Sequence, residues 1–258
     1  MQTAKYRQVL RAYGPAGLLV LVLLSGWETA SQAGAVPPFI LPAPTAVITA
    51  LIEHRSLLFG EHLPATLQET LLGFALAACC GTLLGTGMHM YPLIEKAVYP
   101  LLVVSQTIPM IALSPIFIMW FGYSLWSKVA VVFLTAFFPV VVSTFDGLHK
   151  SGGQYKELLQ TLGANRWQIL KKTQIPPALP SFFSGLKLAA VYCVIGATIG
   201  EWLGGSQGLG YFSRRMAGTL QSAEMFAAVF LLSVLGVVLF LSIALLEKLI
   251  LKKRGIYK

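Results

Sequence analysis

Charged residues are so sparse along this 258-residue chain that the intervals between them define its elements. Five intervals are apolar throughout: 12–27, 70–94, 97–127, 129–145 and 225–246. Each is near or above the ~17–25 residues that carry an α-helix across a bilayer. A sixth interval, 181–203, is apolar but contains Lys187 and, near its far end, Glu201. The alkyl stem of a lysine lets its ammonium reach the interface from inside a helix, so this interval also predicts a span, its cytoplasmic end near Lys187. Transmembrane β-barrels alternate polar and apolar residues, and these runs do not. The pattern therefore predicts an all-α protein with six transmembrane helices.

Proline divides the remainder. Residues 36–45 read VPPFILPAPT, too rich in proline for helix, and predict an extended external connection. Residues 46–58 then suit a short interfacial helix. Within the third run, SQTIPMIALSP at 105–115 places Pro109 and Pro115 where each removes a helical hydrogen bond, so this span is expected to be kinked or broken. Irregular backbone at that depth either lines a cavity or marks a proline kink in a packing helix. No internal repeat of the kind that builds inverted-repeat transporters is visible.

Composition agrees. Hydrophobic residues make up 56% and charged residues 11%, against about 25% charged in an ordinary soluble domain, and this disfavours a soluble enzyme. The net charge of +9 reads as topology rather than nucleic-acid binding. With both termini inside, 15 of the 19 lysines and arginines fall on inner segments, and only Arg55, Lys128, Arg214 and Arg215 fall on outer ones, as the positive-inside rule requires. The basic N-terminus followed by an apolar run imitates a signal peptide. Only Ala33-Gly34-Ala35 resembles a cleavage site, so the first span is expected to be retained. Cys79, Cys80 and Cys193 lie in apolar runs without paired spacing and read as small core residues.

The longest inner loop, 146–180, is DGLHKSGGQYKELLQTLGANRWQILKKTQIPPALP. Leu158, Leu159 and Leu162 share one helical face, Gly163 suits a left-handed helix end, and Asn165 suits an N-cap for a second short helix to about Lys172. Pro176, Pro177 and Pro180 mark entry into the next span. Two short helices about a glycine turn would present an apolar knob with a basic rim to a soluble partner.

Glu157, Gly163 and Pro176 stand at the spacing of the EAA loop of ABC-importer permeases, which reads E-A-A, three residues, G, nine residues, I-x-L-P. The segment resembles that loop with Leu158-Leu159 for the two alanines, Thr173 for the isoleucine and Ile175 for the leucine. The segments LPAPTAV (41–47), TL…TLLGF (66–74), Pro109–Pro115, WFG (120–122) and GEWLGGSQGLGY (200–211) extend the resemblance along nearly the whole chain. They are similar to the branch that carries nitrate, taurine, aliphatic sulfonates and thiamine-pyrimidine precursors. The resemblance implies a single permease domain over 1–258 with the type I importer fold, both termini inside, multi-pass in the bacterial inner membrane among lipid. It implies an ATPase-coupling surface at Glu157, Leu158, Leu159, Leu162, Gly163, Ala164, Arg166 and Pro176. It implies two ATP-binding subunits that carry the ATP and Mg, a second permease copy forming a homodimer, and an extracytoplasmic solute-binding protein. The GEWLGGSQGLGY segment is most similar to hydroxymethylpyrimidine or thiamine-precursor permeases, with sulfonate, taurine or nitrate import the alternative.

Chemistry of other kinds has little footing. There is no Walker A phosphate cradle, so ATP hydrolysis is expected on a separate chain, and no cofactor or metal site is expected here. His54 and His62 share an outer segment with Glu53 and Glu61 but lack metal-ligand spacing. The solute path must draw on polar groups near the membrane: Ser105, Gln106, Thr107, Thr198 and Glu201, with Glu69 and Ser114 as further candidates. Trp202, Tyr211 and Phe212 would either stack on a flat ring or belong to an interfacial belt. Gly204, Gly205, Gly208 and Gly210 predict a tight outer turn, a gate or a plain connection. A membrane-embedded enzyme would need clustered acids or histidines at one interface. A channel or scaffold would lack a copurifying ATPase.

Overall fold

The structure, a computed structural model, describes residues 2–151 and 159–253, with side chains from residue 14 onward except residue 16. Every element among them is helical. In chain order these are α1 (Gln2–Gln32), α2 (Pro44–Glu53), α3 (Arg55–Met90), α4 (Pro92–Ser105), α5 (Met110–Phe121), α6 (Leu125–Lys150), α7 (Arg166–Gly204), α8 (Leu209–Gly218) and α9 (Ser222–Lys253).

Among the described residues, α3, α6, α7 and α9 are each long and apolar enough to cross a bilayer. The α4–α5 pair adds a fifth span if it is one unit, bent by 102°. That bend falls at residues 106–109, where Pro109 caps α5 with an extended backbone. Pro115 sits inside α5 without ending it. Helix α1 carries the run 12–27, and Leu18–Leu24 on it are 43–64% exposed, as a helix facing lipid or another subunit would be. Its C-terminal end is tied down. Trp27 Nε1 donates to the Pro42 carbonyl at 2.9 Å, and Glu28 accepts from the Thr45 hydroxyl at 2.7 Å and the Thr45 N–H at 3.1 Å.

Two boundaries differ from those set by counting charges. Helix α3 begins at Arg55, not after Glu69, because Glu69 is buried within it against Lys128. Lys128 is likewise not an outer loop residue but lies buried in the first turn of α6. Lys187 does not depend on snorkelling, since its ammonium meets Glu247 on α9 at 2.7 Å. A charge that finds its counter-ion inside the bundle ceases to mark a helix end.

Each of the two longest helices contains one π turn, Leu58–His62 in α3 and Leu170–Gln174 in α7. Prolines follow both, Pro64 after the first and Pro176 and Pro177 after the second. A proline lacks an N–H and its ring crowds the carbonyl four residues back; a widened turn there relieves both problems without ending the helix.

Helix α6 is the centre, packed between α3 and α7. In a bilayer, lipid tails are as apolar as leucine, so helices associate through close backbone approach at small residues. Gly73, Ala77, Gly81 and Gly85 form such a stripe on α3, all buried. A Cβ at Gly81 would lie 2.8 Å from Cβ of Val140, and one at Gly85 would lie 2.7 Å from the Val141 carbonyl oxygen. From the other side a Cβ at Gly196 of α7 would come within 2.9 Å of Cα of Val132. Helix α9 closes the bundle with Leu231, Leu232 and Leu235 against Leu58, Val194, Leu209 and Phe212.

These distances separate two glycines of one helix. Gly81→Ala should destabilise the bundle by about 1–3 kcal/mol through overpacking. Gly87→Ala adds a methyl where nothing lies within 4 Å and should leave stability unchanged or slightly higher. Unfolding temperatures of the two variants in one detergent check this; equal losses would remove the packing argument.

Candidate functional site

Two regions concentrate polar groups, one at each end of α7. At its N-terminal end lies the loop expected to meet an ATPase. Glu157 and Leu158 lie outside the described residues. From Leu159 the chain is helical to Thr161 and then turns. Gly163 takes φ +79°, its N–H reaches the Gln160 carbonyl at 3.0 Å, and the Ala164 N–H reaches back to the Leu159 carbonyl at 2.9 Å. That long backward bond with a left-handed glycine before it is how helices commonly stop.

Asn165 then starts the next helix with a reciprocal cap. Its side chain accepts from the Gln168 N–H at 2.8 Å, and the Gln168 side chain accepts from the Asn165 N–H at 2.9 Å. The second helix does not stop near Lys172. It passes through the π turn and becomes α7, because the turn absorbs the prolines expected to separate the two.

Leu159 and Ala164 are half-buried, as is Pro176, while Leu162 is 73% exposed and Arg166 is exposed beside it. Trp167, which periodicity did not single out, is 66% exposed and flanked by Arg166, Lys171 and Lys172. Its neighbours Ile169 and Leu170 are buried, so the unburied tryptophan on a basic segment was the available signal. A cavity of about 230 Å³ lies between His89, Met90 and Pro92 and the loop residues Gln160, Arg166 and Gln174. Across it, His89 Nε2 and Gln174 Oε1 lie 3.1 Å apart.

At the other end of α7, Glu201 is fully buried. Its carboxylate accepts from the Thr66 hydroxyl at 2.6 Å, the Gly210 N–H at 2.5 Å and the Tyr211 N–H at 3.3 Å. The Thr66 hydroxyl in turn accepts from the Leu209 N–H at 2.8 Å, and His62 Nδ1 accepts from the Gly208 N–H at 3.1 Å. Gly208 has φ +116°, and a Cβ on it would collide with the Glu201 carboxylate. Beside Glu201 stands Glu69, whose carboxylate is 2.5 Å from the Lys128 ammonium. The glycine-rich segment is thus a tight turn closed around a carboxylate. Sequence reading offered Glu201 and Glu69 as path candidates and the glycines as a turn; it weighed His62 only as a metal ligand and Lys128 only as an outer charge, and their place here, with that of Thr66, appears only when α3, α6 and α7 meet.

The other path candidates separate. Ser105, Gln106 and Thr107 sit at the break between α4 and α5. Ser105 and Thr107 bond the carbonyls of Leu102 and Val104 at 2.7 and 2.8 Å, and Gln106 is exposed. Thr198 bonds the Val194 carbonyl at 2.8 Å and lines a groove of about 540 Å³ between α7 and α9, which residues 105–107 do not line. Ser114 is buried. Phe212 is buried against His62, with ring centres 5.2 Å apart, and Tyr211 is half-buried beside it, so neither offers a free stacking face. Trp202 donates to the Ser213 hydroxyl at 3.4 Å. Among the described residues no three histidines, cysteines or carboxylates gather as a metal site would require.

The described residues thus form a helical bundle with a broken span, a glycine turn at one end of α7 and a clasped turn at the other. The same fold is found in a chain of the MetNI methionine ABC transporter, 18% identical, with a TM-score of 0.66 over 76% of this chain and 97% of that one. Residues 72–253 match the family described as binding-protein-dependent transport system inner membrane component, and the chain belongs to that family. It is therefore a transporter subunit of the inner membrane. Relatives include the formylaminopyrimidine transport permease protein ThiX of Halalkalibacterium halodurans, 47% identical over 92% of this chain and 94% of that protein. The riboflavin transport system permease protein RibX of Chloroflexus aurantiacus is 33% identical over 90% and 87%, and the taurine transport system permease protein TauC of Escherichia coli is 26% identical over 94% and 89%.

The Glu69–Lys128 pair carries its own test. Removing one partner of a buried pair strands the other charge and costs about 3–5 kcal/mol, whereas replacing both with apolar groups of similar volume is often close to neutral. Lys128→Met should therefore sharply reduce the yield of folded permease, and Lys128→Met with Glu69→Leu should recover most of it. A double variant as poor as the single would show that the carboxylate is needed for something other than pairing.

Proposed function

We propose that this chain is the pore-forming subunit of an ATP-driven importer for a pyrimidine precursor of thiamine. The observation that carries the solute assignment is the 47% identity, over 92% of the chain, to a formylaminopyrimidine permease. The GEWLGGSQGLGY segment points the same way. Import of taurine, aliphatic sulfonates or nitrate is the second reading, supported by the taurine permease at 26% identity.

In this reading the chain spans the membrane six times with both termini inside, the first span being α1 and the third the broken α4–α5 pair. Two copies pair around a central cavity. Two ATP-binding subunits, which carry ATP and Mg, dock on the two inner loops through residues 157–172. Leu162 and Trp167 supply exposed apolar surface for that contact, and Arg166, Lys171 and Lys172 supply a basic rim. Gly163 sets the turn between the two halves of the docking element, and Pro176 ends the π turn through which it joins α7. A soluble binding protein delivers solute to the outer face, and the cavity opens alternately to either side. Residues 105–107 at the broken span and Thr198 are the polar groups nearest such a path.

Uptake of labelled formylaminopyrimidine and hydroxymethylpyrimidine, in cells with and without the gene and with ATP depleted as control, tests the solute. Loss of ATP-dependent uptake on deletion supports it. Unchanged uptake in cells without a redundant route removes it and directs the assay to taurine, sulfonates and nitrate. Gly163→Asp tests the loop, since it places a charged side chain at a left-handed position on the docking surface. ATP-driven uptake should fall at least about tenfold, the loss of some 1.4 kcal/mol or more of productive coupling, with the chain still inserted. Full uptake by that variant would move the ATPase contact elsewhere.

A further inference from the structure

The clasp around Glu201 does more than end a helix. A plain connection between α7 and α8 would be satisfied by water at the membrane surface. Here the turn's N–H groups at Gly208, Leu209, Gly210 and Tyr211 all point inward, to His62, Thr66 and Glu201. All three acceptors are buried, and they come from α3 and α7 rather than from the turn itself. The first glycine of the turn, Gly204, faces the outer half of the broken span, since a Cβ on it would lie 3.0 Å from the Ile118 side chain of α5. On the same side it approaches the Ser127 hydroxyl of α6. Helix α5 follows a 102° bend at 106–109. The end of α7, where the turn begins, therefore sits directly against the helix that follows the break.

We propose that Glu201 and Thr66 are positioning residues that latch the outer turn 204–210 against α5, closing the outer mouth of the permease. The proposal rests on the importer reading and on the orientation that places this end outside. Glu201 holds the turn from the α7 side by accepting hydrogen bonds from the Gly210 and Tyr211 N–H groups. Thr66 ties the same turn to α3 by one hydroxyl that both donates and accepts. Lys128 and Glu69 brace the bundle immediately beside them. Opening to the outside then requires either that the turn release these acceptors or that α5 leave Gly204. Weakening the clasp shifts the population toward the open mouth by as much as the clasp favours the closed one.

The test uses the intact transporter in membranes, with Cys79 and Cys80 replaced by serine. Ser127→Cys is introduced beneath the turn, at a position that is 1% exposed. A membrane-impermeant maleimide is added from outside, and labelling is followed at position 127 and, in a parallel protein without that change, at the buried native Cys193. Glu201→Ala and Thr66→Val should each raise the labelling rate at 127 at least about tenfold while Cys193 stays protected. Glu201→Gln, whose amide oxygen still accepts from Gly210, should fall between. Thr66→Val removes one hydroxyl and nearly preserves volume, and so keeps the question open to measurement if Glu201→Ala does not insert. Labelling at 127 within about twofold of the parent overturns the latch. Equal rises at 127 and Cys193 also overturn it, by showing general loosening instead. ATP-driven uptake by the parent protein, measured separately, decides whether the importer reading itself stands.

Discussion

A polar group inside a bilayer finds no water, and the bundle is arranged around that constraint. Backbone groups are satisfied within helices or, where a helix must stop, by side chains brought from elsewhere. The turn after α7 is the clearest case. Its N–H donors would be orphaned at the edge of the apolar region, and a threonine, a histidine and a glutamate from the helices below accept them. The same constraint pairs Glu69 with Lys128 and Lys187 with Glu247. Even the two π turns answer it, since they let prolines enter long helices without leaving a carbonyl stranded against a ring.

This constraint also explains what was legible in the sequence. The apolar runs, the break at Pro109 and the glycine stop at Gly163 depend on a few adjacent residues, and each was visible locally. Asn165 was recognisable as a cap because its partner Gln168 is three residues away. Span ends were misjudged at Glu69 and Lys128 because each charge was read alone, and their meaning lies in a contact between α3 and α6. Thr66 and His62 look like ordinary residues of an outer segment until α3 is laid beside the turn that follows Glu201, more than 130 positions later. Trp167 carries no local mark of exposure, because which face of that helix is buried is decided by the packing of Ile169 and Leu170.

Small residues do the complementary work of holding the helices close enough for those contacts to form. The glycine stripe of α3 brings its backbone against Val140 and Val141, and Gly196 brings α7 against Val132. Larger residues at those positions would separate α3 from α6 and α7, and the hydrogen bonds of Glu201 to Thr66 and of Glu69 to Lys128 span gaps too short to survive such separation. Packing in the middle of the bundle and polar order at its outer end are therefore one arrangement.

Helix α7 connects the turn clasped by Glu201 to the loop that ends at Asn165. Its 39 residues run without a stop from Arg166 to Gly204, about 58 Å at 1.5 Å per residue. The exposed Trp167 and Leu162 lie at or beside its inner end, and the Glu201 clasp lies at its outer end. A continuous helix transmits displacement along its axis far better than it absorbs it, and the only irregular stretch in this one, the π turn at 170–174, is packed against His89 and Leu148. A displacement at the loop thus has a direct mechanical route to the turn clasped by Glu201. Helices α3, α6 and α9 are continuous as well, but α7 alone joins the loop at its N-terminal end to the turn clasped by Glu201.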